Sequence, residues 1–292
     1  MVDHLHDIYE DTSSNYAWPE HDDLRVVRHV VSPNDPIVLV GLLPHANEPL
    51  GSSLCPLASS LASYLRLQLL LAGPIDPPPA SHSFPLPCSV LTFLENGWLQ
   101  LLTDQAEFAH VNEPINVAQK RAAALRSAVV ASSADAVLLL HNDPFAIYPY
   151  LYAHERLPEV ELALANTLPP SAALHDYVNW TNRLGPWTYA FFPARKIGVH
   201  QGEAAGIALR QAMQGKVLTL ELPMFDWTAA PDARVPIADI VSGWIKHGGG
   251  ATKPTVPAAA AHLRGRTVPM VSASLTARFI TAVLKGLASE LI

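Results

Sequence analysis

Four residues have the types, order and spacing to hold a metal ion beside a general base. His45 and Glu48 stand one helical turn apart in Pro44-His45-Ala46-Asn47-Glu48-Pro49, so both side chains can converge from a single turn of chain. His141 closes the apolar run 136–140, and Glu221 sits near the end of Val217-Leu218-Thr219-Leu220-Glu221-Leu222. A catalytic zinc takes three protein ligands of imidazole and carboxylate type and keeps a fourth position open for water. His45, Glu48 and His141 satisfy that donor set for one Zn2+ per chain, and Glu221 is placed as the catalytic base that takes a proton from the water. The chemistry of such a set is hydrolysis. A carboxylate inside an apolar strand is costly unless paired or put to use, which separates Glu221 from an ordinary surface acid.

The elements that must position these residues can be read along the chain. Residues 24–31 are rich in Val and read as a strand, followed by turn chemistry in Ser32-Pro33-Asn34-Asp35. Residues 37–43 form an apolar run of strand length, and the two strands look like a hairpin feeding a central sheet. Leu54, Leu57, Ala58, Leu61 and Leu65 recur at helical spacing. The proline-rich stretch 73–87 must be loop, and 89–94 reads as a short strand. Residues 116–131 predict a helix, 136–140 a buried strand, 203–214 a helix stopped by Gly215, 216–222 a strand and 276–291 a terminal helix. Residues 142–200 read as irregular. Strands alternating with helices imply the α/β class: one domain over 1–292, with a mixed, mostly parallel central sheet flanked by helices and an irregular lead-in at 1–23. Ligands of such sheets sit outside the carboxyl ends of the strands, and the four residues fall at strand ends.

Composition narrows the function classes. Hydrophobic residues make up 49% of 292, enough for a sizeable core, while charged residues are 15% against a typical ~25%. Lys plus Arg number 19 and Asp plus Glu 26, a formal charge of −7, which excludes a basic nucleic-acid binder and a polybasic membrane surface. The most apolar run, 65–73, contains Arg66 and Gln68 and falls short of the ~20 residues of a membrane span. Met1-Val2-Asp3-His4 lacks the basic and apolar regions of a signal peptide. With two cysteines, Cys55 and Cys88, a reduced, cytoplasmic protein is expected, a Cys55–Cys88 disulfide being the alternative. The expected partner is a small molecule or short peptide, with neither nucleic acid nor membrane.

These motifs resemble the zinc carboxypeptidase family, including its aspartoacylase and succinylglutamate desuccinylase branch. That family shows a strand, then Gly-x-x-His-x-x-Glu-Pro-x-Gly, then a helix. Gly41-Leu42-Leu43-Pro44-His45-Ala46-Asn47-Glu48-Pro49-Leu50-Gly51 is similar, with one extra residue before the His. The family's third ligand follows a strand like Asp135-Ala136-Val137-Leu138-Leu139-Leu140-His141, and its catalytic Glu ends a strand like Thr219-Leu220-Glu221-Leu222-Pro223. His-x-Asn-Glu-Pro is typical of the acyl-amino-acid branch. The resemblance covers roughly residues 24–225 and implies a zinc carboxypeptidase-like fold. It implies zinc on His45, Glu48 and His141, Glu221 as base, and hydrolysis of an amide bond in a peptide or N-acyl amino acid.

One motif departs from the family. Asp-x-Asn-Arg aligns with Asp104-Gln105-Ala106-Glu107-Phe108. Asp104 keeps the position that supports a zinc-bound His, while Ala106 and Glu107 replace the Asn-Arg pair that grips a substrate carboxylate. Glu107 is therefore expected to contact substrate, matching an ammonium or guanidinium group. Arg183 and Arg195 are candidate replacements for the lost Arg, Trp227 is a candidate pocket wall, and the family's substrate-side Tyr is not evident before Glu221, where His200, Gln201 and Glu203 occupy the region. The competing reading is a catalytically inactive binding or scaffolding protein of the same fold; retention of all four key residues argues against it.

Overall fold

The computed structural model describes residues 24–42, 48–75, 89–96, 101–174, 177–249, 252, 255, 260–264 and 266–292. The lead-in 1–23, His45 and Cys88 lie outside the described residues.

Seven strands form one sheet: β1 (Arg25–His29), β2 (Ile37–Gly41), β3 (Gln68–Gly73), β4 (Ala136–Asp143), β5 (Tyr150–Ala153), β6 (Thr188–Ala190) and β7 (Lys216–Pro223), in the order β1-β3-β2-β4-β7-β5-β6. β3, β2, β4 and β7 run parallel, as do β5 and β6; β1 is antiparallel to β3, and β5 to β7. The α-helices among the described residues are α1 (Ala58–Leu65), α2 (Val90–Asn96), α3 (Val117–Ser132), α4 (Pro158–Ala165), α5 (Ala205–Ala212), α6 (Pro231–Lys246) and α7 (Ala273–Leu291). The class is α/β with a mixed, mostly parallel sheet, as the alternation of elements predicts.

The central strands bury both faces, which is why their sequences run apolar without alternation. Leu39, Val137, Leu139 and Val217 pack with Leu125 and Val129 of α3 and Leu209 of α5. Val38, Val40, Leu138, Leu140, Leu218 and Leu220 share the opposite core with Ile237 of α6 and with Ile280, Val283, Leu284 and Leu287 of α7. α3 starts where predicted because Asn116 and Gln119 form a reciprocal cap: Gln119 N donates to Asn116 Oδ1 at 2.8 Å, and Asn116 N to Gln119 Oε1 at 3.3 Å. No helix among the described residues is long and apolar enough to cross a membrane.

Three expectations are corrected, and one strand lies where the sequence reading assigns no element. β1 and β2 do not form a hairpin; β3 lies between them, pairing with both. β2 buries its middle and needs a partner on each side, and α1 supplies the crossover that a parallel β2–β3 pair requires. β1, with Val26 and Val27 exposed, takes the sheet edge. Segment 89–94 is not a strand: Ser89 Oγ accepts from Thr92 N at 3.1 Å and starts α2, which buries Phe93 and Leu94. A short apolar run carries no period that separates the two states. Segment 142–200 holds β5, α4 and β6, ordered by buried Tyr150, Tyr152 and Tyr189, whose rings lie 5.6–6.0 Å apart. Finally, 65–73 contains β3; Gln68 fits a buried strand because its amide donates to Pro33 O and Asp35 O at 3.0 and 2.7 Å.

Candidate functional site

β4 and β7 carry the chemistry to one place. Their parallel register sets His141 opposite Glu221, and the antiparallel β5 sets Tyr150 on the other side of Glu221. Paired residues on adjacent strands share a face, and residues two apart along a strand share it too, so Asp143 lies on the same face as His141. The site therefore sits at the carboxyl ends of the central strands, where α/β sheets bind ligands.

Glu48 reaches this face from the chain that follows β2. Asn142 N donates to Glu48 Oε2 at 3.0 Å, while the Asn142 side chain accepts from Leu50 N at 2.9 Å and donates to His141 O at 2.9 Å. Asn142 thus staples the 48–50 segment to the end of β4. Gly51 permits the approach: a β-carbon there would lie 2.8 Å from Leu140 Cβ. Glu48 Oε2 then stands 3.1 Å from His141 Nδ1, and Glu107 Oε2 stands 3.5 Å from His141 Nε2. Glu107 comes from the short turn Ala106–Phe108. That turn is locked by the His110–Glu203 bridge, with N–O distances of 3.3 and 3.0 Å, and by Gly202, where a β-carbon would meet Phe108 O at 2.5 Å.

Charge is crowded here. Burial opposes a charged His141, but the Glu48 and Glu107 carboxylates outweigh it and hold its pKa well above the usual imidazole value. Burial pushes the Glu221 carboxyl well above the usual range; His141 pulls it down, and Glu48, Asp143 and Glu107 add to the rise. One imidazole among so many carboxylates leaves negative charge that a divalent cation would balance. The Glu48–His141 separation of 3.1 Å also lies near that of two donors on one tetrahedral zinc, whose ~2.0–2.2 Å bonds set ligand atoms ~3.3–3.6 Å apart. Glu48 and His141 are therefore suitable ligands. No group of three His, Cys, Asp or Glu side chains among the described residues makes a complete metal site, and the expected third ligand, His45, is outside them.

A second polar group borders the first and is not apparent in the sequence reading. Burial raises the Asp143 carboxyl to about 6, against the backbone N–H groups of Phe145 and Ala146, which donate to it at 2.7 and 3.1 Å. Tyr150 and Tyr177 hydroxyls also donate to Asp143. Arg234, in the first turn of α6, donates to Phe145 O at 3.1 Å and lies over the Tyr177 ring at 5.8 Å. Tyr177, Asn179, Arg234, Asp239 and Ser242 line a cavity of about 450 Å³. The alternation rule from His141 to Asp143 is the signal that points to Asp143; nothing local marks Arg234.

The other expected residues are placed as follows. Asp104 is exposed on a short 3-10 turn, away from the burial that Glu107 has. Arg183 is exposed and turns back on its own loop, donating to Gly185 O and Pro186 O at 3.0 and 3.1 Å. Arg195 and His200 are exposed. Trp227 is fully buried, its indole N–H donating to Pro144 O at 2.7 Å, so it backs the loop after β4.

No protein-family model and no curated protein matches the chain. Solved structures do. A Shewanella baltica OS155 protein, provisionally described as a metallopeptidase, aligns with 76% of this chain and 84% of its own at 13% identity and a TM-score of 0.47. A metallo-carboxypeptidase from Burkholderia cenocepacia aligns with 97% of this chain and 69% of its own at 12% identity and a TM-score of 0.45. A Shewanella amazonensis SB2B protein, provisionally placed in the succinylglutamate desuccinylase/aspartoacylase family, aligns with 76% and 68% at 15% identity and a TM-score of 0.35.

Proposed function

We propose that the chain is a zinc-dependent hydrolase that cleaves an amide bond of a small substrate, a peptide or an N-acyl amino acid. The observation that carries this reading is the meeting of Glu48 and His141 Nδ1 at 3.1 Å with Glu221 in register beside them. His141 and Glu48 would hold the ion, with His45 completing the set. Zinc bound there would supply a Lewis acid that acidifies water and polarises a carbonyl.

The chain's own groups account for the remaining work. Glu221 takes the proton of the attacking water and returns it to the leaving amine. Glu221 and Glu48 keep part of their surface exposed, whereas His141 is buried. Tyr150, next to Glu221 across the sheet, fixes one wall of the site through its bond to Asp143 at 2.8 Å. The cavity at Tyr177 and Arg234 is linked to this face through the hydrogen bond that the Tyr177 hydroxyl donates to Asp143.

The test is a hydrolysis screen of zinc-loaded protein against dipeptides and N-acyl amino acids, with Glu221→Gln in parallel. Turnover that vanishes in the variant supports the reading. A wild-type protein loaded with zinc that cleaves nothing in either class contradicts it.

A further inference from the structure

His141 lies between two carboxylates of similar burial that face opposite nitrogens of its ring. Glu48, at Nδ1, keeps part of its surface exposed, as Glu221 does across the strands. Glu107, at Nε2, is 9% exposed, on a turn walled in by Gly202, Glu203 and the His110 bridge. Glu107 Oε2 faces the ring nitrogen remote from Glu48, at 3.5 Å, the outer limit of a hydrogen bond. A metal-bound His ordinarily donates its other ring N–H to a carboxylate, carbonyl or water, which fixes tautomer and ring orientation.

We propose that Glu107 is a positioning residue: its carboxylate accepts the Nε2–H of His141 and so presents the Nδ1 lone pair to the ion held with Glu48. The inference rests on the metal-centre reading above. It also changes the role expected of Glu107, from contact with a cationic substrate group to support of a ligand. The Asp104 position, which the motif suggested for such support, is exposed.

The test uses the full chain, wild type, Glu107→Gln and Glu107→Ala, with zinc affinity measured by competition against a chromophoric chelator. The His141 Nε2–H signal is followed by NMR on 15N-histidine-labelled protein. Glu107→Ala is expected to bind zinc about 10–100-fold more weakly and to lose that signal. Glu107→Gln keeps an acceptor of the same shape and is expected to fold, retain the signal and bind more tightly than the Ala variant. Equal zinc affinity in all three proteins overturns the positioning role while leaving the hydrolase reading intact. Abolition of zinc binding in both variants, to the level of Glu48→Ala, also overturns it, because Glu107 would then be a ligand. A wild type that takes up no zinc removes both readings together.

Discussion

Glu221 is the general base of the proposed reaction. It lies in register with His141 on one side and Tyr150 on the other, and burial, with nearby carboxylates, raises its proton affinity. Replacing it by Gln keeps the shape and removes the base. Zinc content should be unchanged while turnover falls by ~10²–10⁴; near-full activity would mean that another group activates the water. His110 allows a separate residue-scale test, of stability. Burial lowers its pKa to about 4 from an ordinary 6.5; Arg126 adds to the drop, while Glu107 and Glu203 pull the other way. The unfolded chain then takes up the proton near pH 6.5 and the folded chain only near 4. This contribution is intact above pH 6.5 and is lost as pH falls toward 4, amounting to roughly 3 kcal/mol. Urea unfolding of wild type and His110→Phe should show their difference shifting against wild type by about that amount between pH 7.5 and 4. A difference that stays constant with pH would mean that His110 titrates normally in the fold.

At the scale of elements, the site depends on how closely backbone segments approach. Gly51 lets the 48–50 segment lie against Leu140, and Asn142 pins it there through Leu50 N and Glu48. Gly51→Ala must push that segment outward, so it should weaken zinc binding at least tenfold, a displacement cost of about 1.4 kcal/mol. Asn116→Ala removes the α3 cap, far along the chain from the ligands, and should cost about 1 kcal/mol of stability with zinc affinity unchanged. Isothermal titration and denaturant melts on the two variants check the contrast; equal effects on zinc affinity would remove the special role of Gly51. The elements that carry chemistry are those most legible in the sequence. β2, β4 and β7 are largely apolar runs, β4 running on into His141-Asn142-Asp143, and α3 announces its start with Asn116 and Gln119. β3 was hidden by Arg66 and Gln68, although Gln68 is satisfied by backbone carbonyls. The order β1-β3-β2 was hidden because neighbours in sequence need not be neighbours in a sheet. Glu107 was visible as an unusual residue, but its direction depends on the bridge to Glu203, a contact that no local pattern encodes.

For the whole molecule, the sheet joins chain segments distant in sequence into one charged cluster, and a bound ion should hold them together. A ligand that binds the folded state at a hundred times its Kd adds about 2.7 kcal/mol, which for a chain of this size raises Tm by roughly 5 °C. Scanning calorimetry of zinc-loaded and chelator-treated protein should show that shift in wild type and its absence in His141→Ala; equal shifts in both would place zinc elsewhere. The α/β class follows from the alternation of apolar runs, whereas the cavity at Arg234 and Tyr177 arises only once α6 folds over the end of β4. The most direct test of the account is the zinc content of the protein purified without chelator, by elemental analysis, beside His141→Ala and Glu48→Ala. The account predicts about one zinc per wild-type chain and little in either variant. A wild-type protein that carries none, and takes up none at micromolar zinc, would contradict it.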